Sequence, residues 1–222
     1  MNTETDPPVE IETGPAPTHA VIWLHGLGAD GNDFVPIVSE LELPAPPVRF
    51  VFPHAPMQPV TINHGYVMRA WYDIVGVEFG RREDERGVRA SQQRLEQLIA
   101  RETGRGIAPE RIVLAGFSQG GAIALQTGLR YRQRLAGIMA LSTYVPLASS
   151  VAQERDPANA DTPVHMAHGA QDEIIPLHVA QRSRQMLTDL GYRVEWHEYA
   201  MPHSVCMEEI DHIGAWLRRV LV

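Results

Sequence analysis

Six short runs stand out as strand candidates in this chain. The first, AVIWLHG (20–26), is continuously apolar and closed by glycine, as expected of a strand buried on both faces. Similar runs recur at VRFVFP (48–53), RIVLAG (111–116), GIMALS (137–142), PVHMAHG (163–169) and RVEWHEY (193–199). Between them, apolar positions fall at helical spacing over 33–43, 88–101, 119–131, 177–190 and 208–220; in the second of these, Leu95, Leu98 and Ile99 share one face. Strands alternating with helices predict an α/β fold with a mostly parallel central sheet, helices on both faces and right-handed crossovers. In such sheets the chemistry gathers beyond the carboxyl ends of the strands. One segment breaks the alternation. Residues 54–86 have no clear period, and a connection of that length is expected to act as a functional cover or an insertion. The organisation read from the pattern is a lead segment over 1–17, then a single domain over 18–222 with a loop-rich insertion near 54–86.

Composition narrows the function more than the fold. The 222 residues are 44% hydrophobic and 21% charged, ordinary values for a globular chain, and the formal net charge is −8. An acidic surface disfavours nucleic acid, whose binders cluster Lys and Arg. The acidic start MNTETDPPVEIETGP lacks the basic end and apolar core of a signal peptide. Two long uncharged stretches, 112–129 and 135–153, contain Ser118, Gln119, Gln126, Ser142, Thr143 and Pro146. They read as buried strand followed by polar turn, so no stable membrane insertion is expected. A single cysteine, Cys206, excludes an internal disulfide and suits a reducing cytoplasm.

The chemistry centres on GFSQG (116–120). A GxSxG motif alone is weak, but here it follows an apolar strand and opens a helix, the setting in which such a serine serves as nucleophile. Glycines at 116 and 120 give room for a strained turn, and the helix directs free N–H groups and partial positive charge at the reacting centre. A serine needs a base, and the base needs an acid to fix its tautomer, in the chain order Ser, acid, His. Of the later histidines, His178 and His212 fall in helices and His197 in a strand. His203, in the loop AMPHSV just after a strand, is the candidate base. Asp172, in the loop HGAQDEIIP after another strand, is the candidate acid, ahead of its neighbour Glu173. Its competing role is that of a helix cap. The glycine-flanked Leu27 in WLHGLGAD and the residue after the serine, Gln119, are expected to supply two backbone N–H groups to an oxyanion. GLGADG lacks the lysine and spacing of a phosphate-binding loop. His165 and His168 form an HxxH pair, but on a strand they point to opposite faces and no neighbouring carboxylate or third histidine completes a site. No metal and no cofactor is expected.

With LHGLGAD, GFSQGG, HGAQDEIIP and MPHSV in this order, the sequence resembles the bacterial carboxylesterase and acyl-protein thioesterase family (phospholipase/carboxylesterase) of the α/β-hydrolases, over about residues 18–220. The resemblance implies Ser118 as nucleophile, His203 as base, Asp172 as orienting acid and the Leu27 and Gln119 amides as oxyanion hole. It also implies an apolar acyl groove near Trp71, Leu27, Met68, Val145 and Ile175. The activity expected first is that of a serine carboxylesterase on short to medium acyl esters. An acyl-protein thioesterase or lysophospholipase activity of the same triad is the alternative, and a non-catalytic binding module is disfavoured because all three triad members are present. The implied partner is a small acyl ester or thioester, and a homodimer is left open.

Overall fold

The computed structural model describes residues 6–76 and 83–222; the part of the 54–86 insertion at 77–82 lies outside them. Six strands coincide closely with the apolar runs: β2 (His19–Leu24), β3 (Val48–Phe52), β6 (Ile112–Phe117), β7 (Gly137–Leu141), β8 (Val164–Gly169) and β9 (Val194–Tyr199). They pair in parallel in the order β3-β2-β6-β7-β8-β9. Within the stretch read as a lead, β1 (Val9–Glu12) pairs antiparallel with β3 and adds an edge strand to this sheet.

Alternate residues of each strand feed opposite layers. Val21, Trp23, Val113, Ala115 and Met139 pack under α5 (Met207–Val220), whose Trp216, Ile213 and Leu217 complete that core. Ala20, Ile22, Leu24, Ile112 and Leu114 face the other way, against α1 (Glu85–Gly104) and α2 (Gln119–Gly128). Further along that face, Ile138, Ala140 and Met166 meet α3 (Ala148–Glu154) and α4 (Leu177–Asp189) through Val151 and Leu187. Every residue of α2 is buried, so the helix that follows the serine is fixed on all sides.

Two expectations are corrected. The 33–43 helix is only a 3-10 turn, Val35–Ser39, with proline in its first turn; its β-branched Val35, Ile37 and Val38 are poor helix formers, and Glu42 at φ 48° ends the stretch. The aperiodic insertion holds a small antiparallel sheet, β4 (Met57–Val60) and β5 (Tyr66–Arg69), turned by His64 at φ 55° and Gly65 at φ 76°. Among the described residues no helix is long and apolar enough to cross a membrane.

Candidate active site

Ser118 sits between the end of β6 and the first residue of α2 at φ 54° and ψ −121°. A non-glycine residue there stores on the order of 1–3 kcal/mol of backbone strain. The surroundings hold it in place: its N–H donates to Leu141 O (2.9 Å), and its carbonyl accepts from Thr143 Oγ1 (2.7 Å) and from Ala122 N–H (3.1 Å). Both flanking glycines are sterically required. A Cβ on Gly116 would stand 2.2 Å from the Gly120 carbonyl carbon, and one on Gly120 would stand 2.2 Å from Leu24 O.

The loop after β2 lies directly against this elbow, since a Cβ on Gly26 would come within 3.5 Å of Ser118 Cβ. His25 shapes the loop. Its Nδ1–H donates to Gly26 O (2.6 Å), and its Nε2 accepts from Ala55 N–H (3.0 Å), which fixes the tautomer. Farther along, Gly28 N–H donates to Arg69 O (2.9 Å), tying the loop to β5. Burial lowers the His25 pKa from 6.5 to about 4. The folded state therefore keeps His25 neutral while the unfolded chain takes up a proton below about pH 6.5. Its contribution to stability is complete above that pH and is lost as pH falls through about 4, a change on the order of 3 kcal/mol. Denaturant titrations at pH 7 and pH 4.5 should show this loss in the wild type, and His25→Gln should lose correspondingly less between the two pH values.

Asp172, in the loop between β8 and α4, is buried. Its Oδ1 accepts from the Ile174 and Ile175 N–H groups (both 2.8 Å), and its Oδ2 accepts from His203 Nδ1–H (2.6 Å). His168 lies 3.3 Å from the same Oδ2 and donates from Nε2 to Ile175 O (2.8 Å), bracing the acid loop from below. The acid and histidine loops touch because residue 169 is glycine: a Cβ there would stand 2.3 Å from Pro202 O. Gln171 N–H donates to Met201 O across the same junction. The His203 ring packs on Phe117, the residue before the serine, with centroids 4.8 Å apart.

Ser118, Gln119, Leu27 and His203 all line one cleft of about 580 Å³, whose walls include Ile62, Ile74, Ile174 and Ile175. That volume falls within the range of small-molecule sites. Of the five residues expected at the acyl groove, Leu27 and Ile175 line the cleft. The other three do not. Val145 is buried among Leu125, Ile138 and Val151, its N–H donating to Ser183 Oγ, and Met68 lies on β5 with its sulfur accepting from Asn63 Nδ2. Trp71 is buried beneath the loop after β2, where its indole N–H donates to His25 O (2.8 Å).

Two features escaped the sequence reading. The Gln119 side chain clamps the 71–72 backbone to the elbow, its Oε1 accepting from Trp71 N–H (3.0 Å) and its Nε2 donating to Tyr72 O (2.9 Å). Tyr72 and Tyr144 also line the cleft and join through their hydroxyls at 3.1 Å. Both pairings form between segments far apart in sequence, and no local motif announces them.

A parallel sheet with a strained serine between strand and helix, and a histidine held by a buried aspartate beyond the strand ends, is the architecture of the α/β-hydrolases. Comparison with known proteins makes this specific. A family model described as phospholipase/carboxylesterase matches residues 7–221. The chain belongs to that family and is an ester-hydrolysing enzyme. It is 41% identical over 214 residues to acyl-protein thioesterase 1 of Gibberella zeae, covering 92% of this chain and 91% of that one. It is 39% identical over 217 residues to acyl-protein thioesterase 1 of Yarrowia lipolytica, covering 95% and 96%. Among solved structures, Arabidopsis thaliana SOBER1 superimposes with a TM-score of 0.87 at 32% identity, covering 92% of this chain and 99% of that one.

Proposed function

We propose that the protein is an acyl thioesterase, cleaving medium to long acyl groups from thiols through a Ser118 acyl-enzyme. The observation that carries this is the cleft itself: Ser118 and His203 open onto aliphatic walls at Leu27, Ile62, Ile74 and Ile174, and Ile174 is exposed. Such a surface favours an acyl chain over a small polar acid. Relatives bearing the thioesterase name at 36–41% identity support this alternative over the carboxylesterase on short to medium acyl esters expected first.

In the proposed mechanism, Asp172 keeps the proton of His203 on Nδ1, leaving Nε2 free to take the Ser118 hydroxyl proton. The Ser118 oxygen adds to the thioester carbonyl, and the resulting oxyanion accepts from the Leu27 and Gln119 N–H groups, each worth about 3 kcal/mol in the transition state. The intermediate collapses by breaking the C–S bond. Because a thiol has a pKa near 8.5, its thiolate departs with less protonation than an alkoxide needs. The proton on His203 then passes to the thiolate. Water, deprotonated by His203, adds to the acyl-serine, and collapse returns Ser118 and releases the acid. No step draws on a metal or cofactor. The single cysteine, Cys206, is half-buried, and a thiol-rich, reducing cytoplasm suits both it and the reaction.

Matched series of S-acyl and O-acyl substrates of increasing chain length test this reading. kcat/KM is expected to rise by up to about fourfold per methylene until the cleft is filled, with thioesters ahead of oxygen esters at each length. A maximum at the shortest acyl groups, with oxygen esters equal or faster, would return the reading to carboxylesterase.

A further inference from the structure

On the face of the sheet under α5, opposite the one that receives α2, the strand register brings together groups that the sequence keeps apart. His165 on β8 is paired with Glu195 on β9, and Ala167 with His197. With a two-residue period, His165, Glu195 and His197 all project toward α5. His168, the other half of the HxxH pair, projects to the opposite face and serves the acid loop. The carboxylate and second histidine that the HxxH pair lacks in sequence are thus supplied across the sheet by the neighbouring strand.

We propose that His165, Glu195 and His197 form a site for a divalent transition-metal ion of the Zn²⁺ type, which clips the edge strand β9 to β8 beneath α5. The ligand atoms of the three residues all lie within 4.8 Å of one another. His165 Nδ1 is 3.6 Å and His197 Nε2 is 3.2 Å from the same oxygen, Glu195 Oε1. Donors around a tetrahedral ion bound at about 2.0–2.1 Å sit about 3.3–3.4 Å apart, so two edges of the triangle, at 3.6 and 3.2 Å, are already close to that length. The second Glu195 oxygen pairs with Arg219, which orients the carboxylate and leaves Oε1 facing the histidines. A ligand's other contacts commonly fix it in this way.

His165 gives the independent indication. Its side chain is fully buried, and neither ring nitrogen has a hydrogen-bond partner among the described residues. An unsatisfied imidazole in the interior is costly; an ion at Nδ1 would remove half of that deficit. The surroundings restrict movement: the His165 ring lies 5.5 Å from Trp216 on one side and 5.2 Å from His197 on the other. His212 packs 4.6 Å from His197, and its Nδ1 is engaged by the Tyr199 hydroxyl at 2.8 Å. Two imidazoles and one carboxylate select Zn²⁺, Co²⁺ or Ni²⁺ over Mg²⁺ or Ca²⁺, which take oxygen ligands. Side-chain exposures of 38% for Glu195 and 27% for His197 leave a path in and a coordination position for water.

The test is titration of the full-length, chelator-treated protein with Zn²⁺ by calorimetry and with Co²⁺ by visible absorption, alongside thermal unfolding. One ion per chain, a rise in Tm with Zn²⁺ but not with Mg²⁺, and Co²⁺ bands of tetrahedral type are expected. Glu195→Gln and His197→Gln should each weaken binding about tenfold or more. These half-exposed positions are the primary variants because replacing the buried His165 also risks the fold. His203→Ala controls for capture at the catalytic cleft and should bind as the wild type does. Undetectable binding, binding unchanged in both glutamine variants, or binding lost in His203→Ala would overturn the proposal.

Discussion

Ser118→Ala is expected to lower kcat for an acyl thioester by about 10⁶-fold, as losses of a triad nucleophile do when the rest of the machinery is intact. The substitution isolates chemistry from folding here. The contacts that hold the elbow use the backbone of residue 118: its N–H to Leu141 O, and its carbonyl from Thr143 Oγ1 and Ala122 N–H. Alanine keeps all three. The strain of φ 54° falls on any residue with a Cβ, so serine and alanine bear it alike. Tm should therefore move by no more than a degree or two, and KM should change far less than kcat. Steady-state kinetics with the thermal midpoint measured on the same preparation check this. Labelling by a serine-directed phosphonate should disappear together with activity. A variant that keeps even a hundredth of the wild-type kcat would place the nucleophile elsewhere.

The legibility of this molecule follows the range of its interactions. Five of the six parallel strands, β2, β3, β6, β7 and β8, could be read directly because they are buried along nearly their whole length, which leaves a local signature of mostly apolar residues. The edge strand β9, VEWHEY, is only part-buried and carries a weaker one. β4 and β5 could not. Proline at 59 and exposed positions at Met57, Tyr66 and Val67 remove both the alternation and the burial on which strand recognition depends. β1, VEIE, is too short and too polar to declare itself and exists by pairing with β3.

The site divides along the same line. Ser118, Asp172 and His203 each occupy a loop just beyond a recognisable strand, and the parallel sheet brings such loops to one edge. The acyl residues were harder because a wall is defined by what faces it across space. Trp71 was expected in the groove, but its indole and backbone instead brace the loop after β2 and Gln119. The His165 cluster shows the limit most clearly. Two-residue periodicity puts Glu195 and His197 on one face, but only the register between β8 and β9 sets Glu195 opposite His165 and His197 opposite Ala167.

Asp172→Asn is expected to lower kcat by about 10⁴-fold with little change in KM, and the hydrogen bonds around the carboxylate explain why so small a change is so damaging. Both oxygens of Asp172 serve only as acceptors: Oδ1 takes the Ile174 and Ile175 N–H groups, and Oδ2 takes His203 Nδ1–H, with His168 Nε2 at 3.3 Å. An amide offers one accepting oxygen and one NH₂. If the oxygen stays with the two backbone N–H groups, the NH₂ faces His203 Nδ1 and stabilises the tautomer with its proton on Nε2. That nitrogen can then no longer take a proton from Ser118. If the amide flips, His203 keeps the right tautomer, but the NH₂ confronts two buried N–H donors at a cost of about 1–3 kcal/mol for each group left unsatisfied. The first arrangement is the cheaper, so the variant should fold and bind substrate yet fail in proton transfer. Full kinetics on one thioester, with the unfolding midpoint as control, distinguish the cases. A loss of less than tenfold in a folded Asp172→Asn protein would mean that His203 is oriented by some other group.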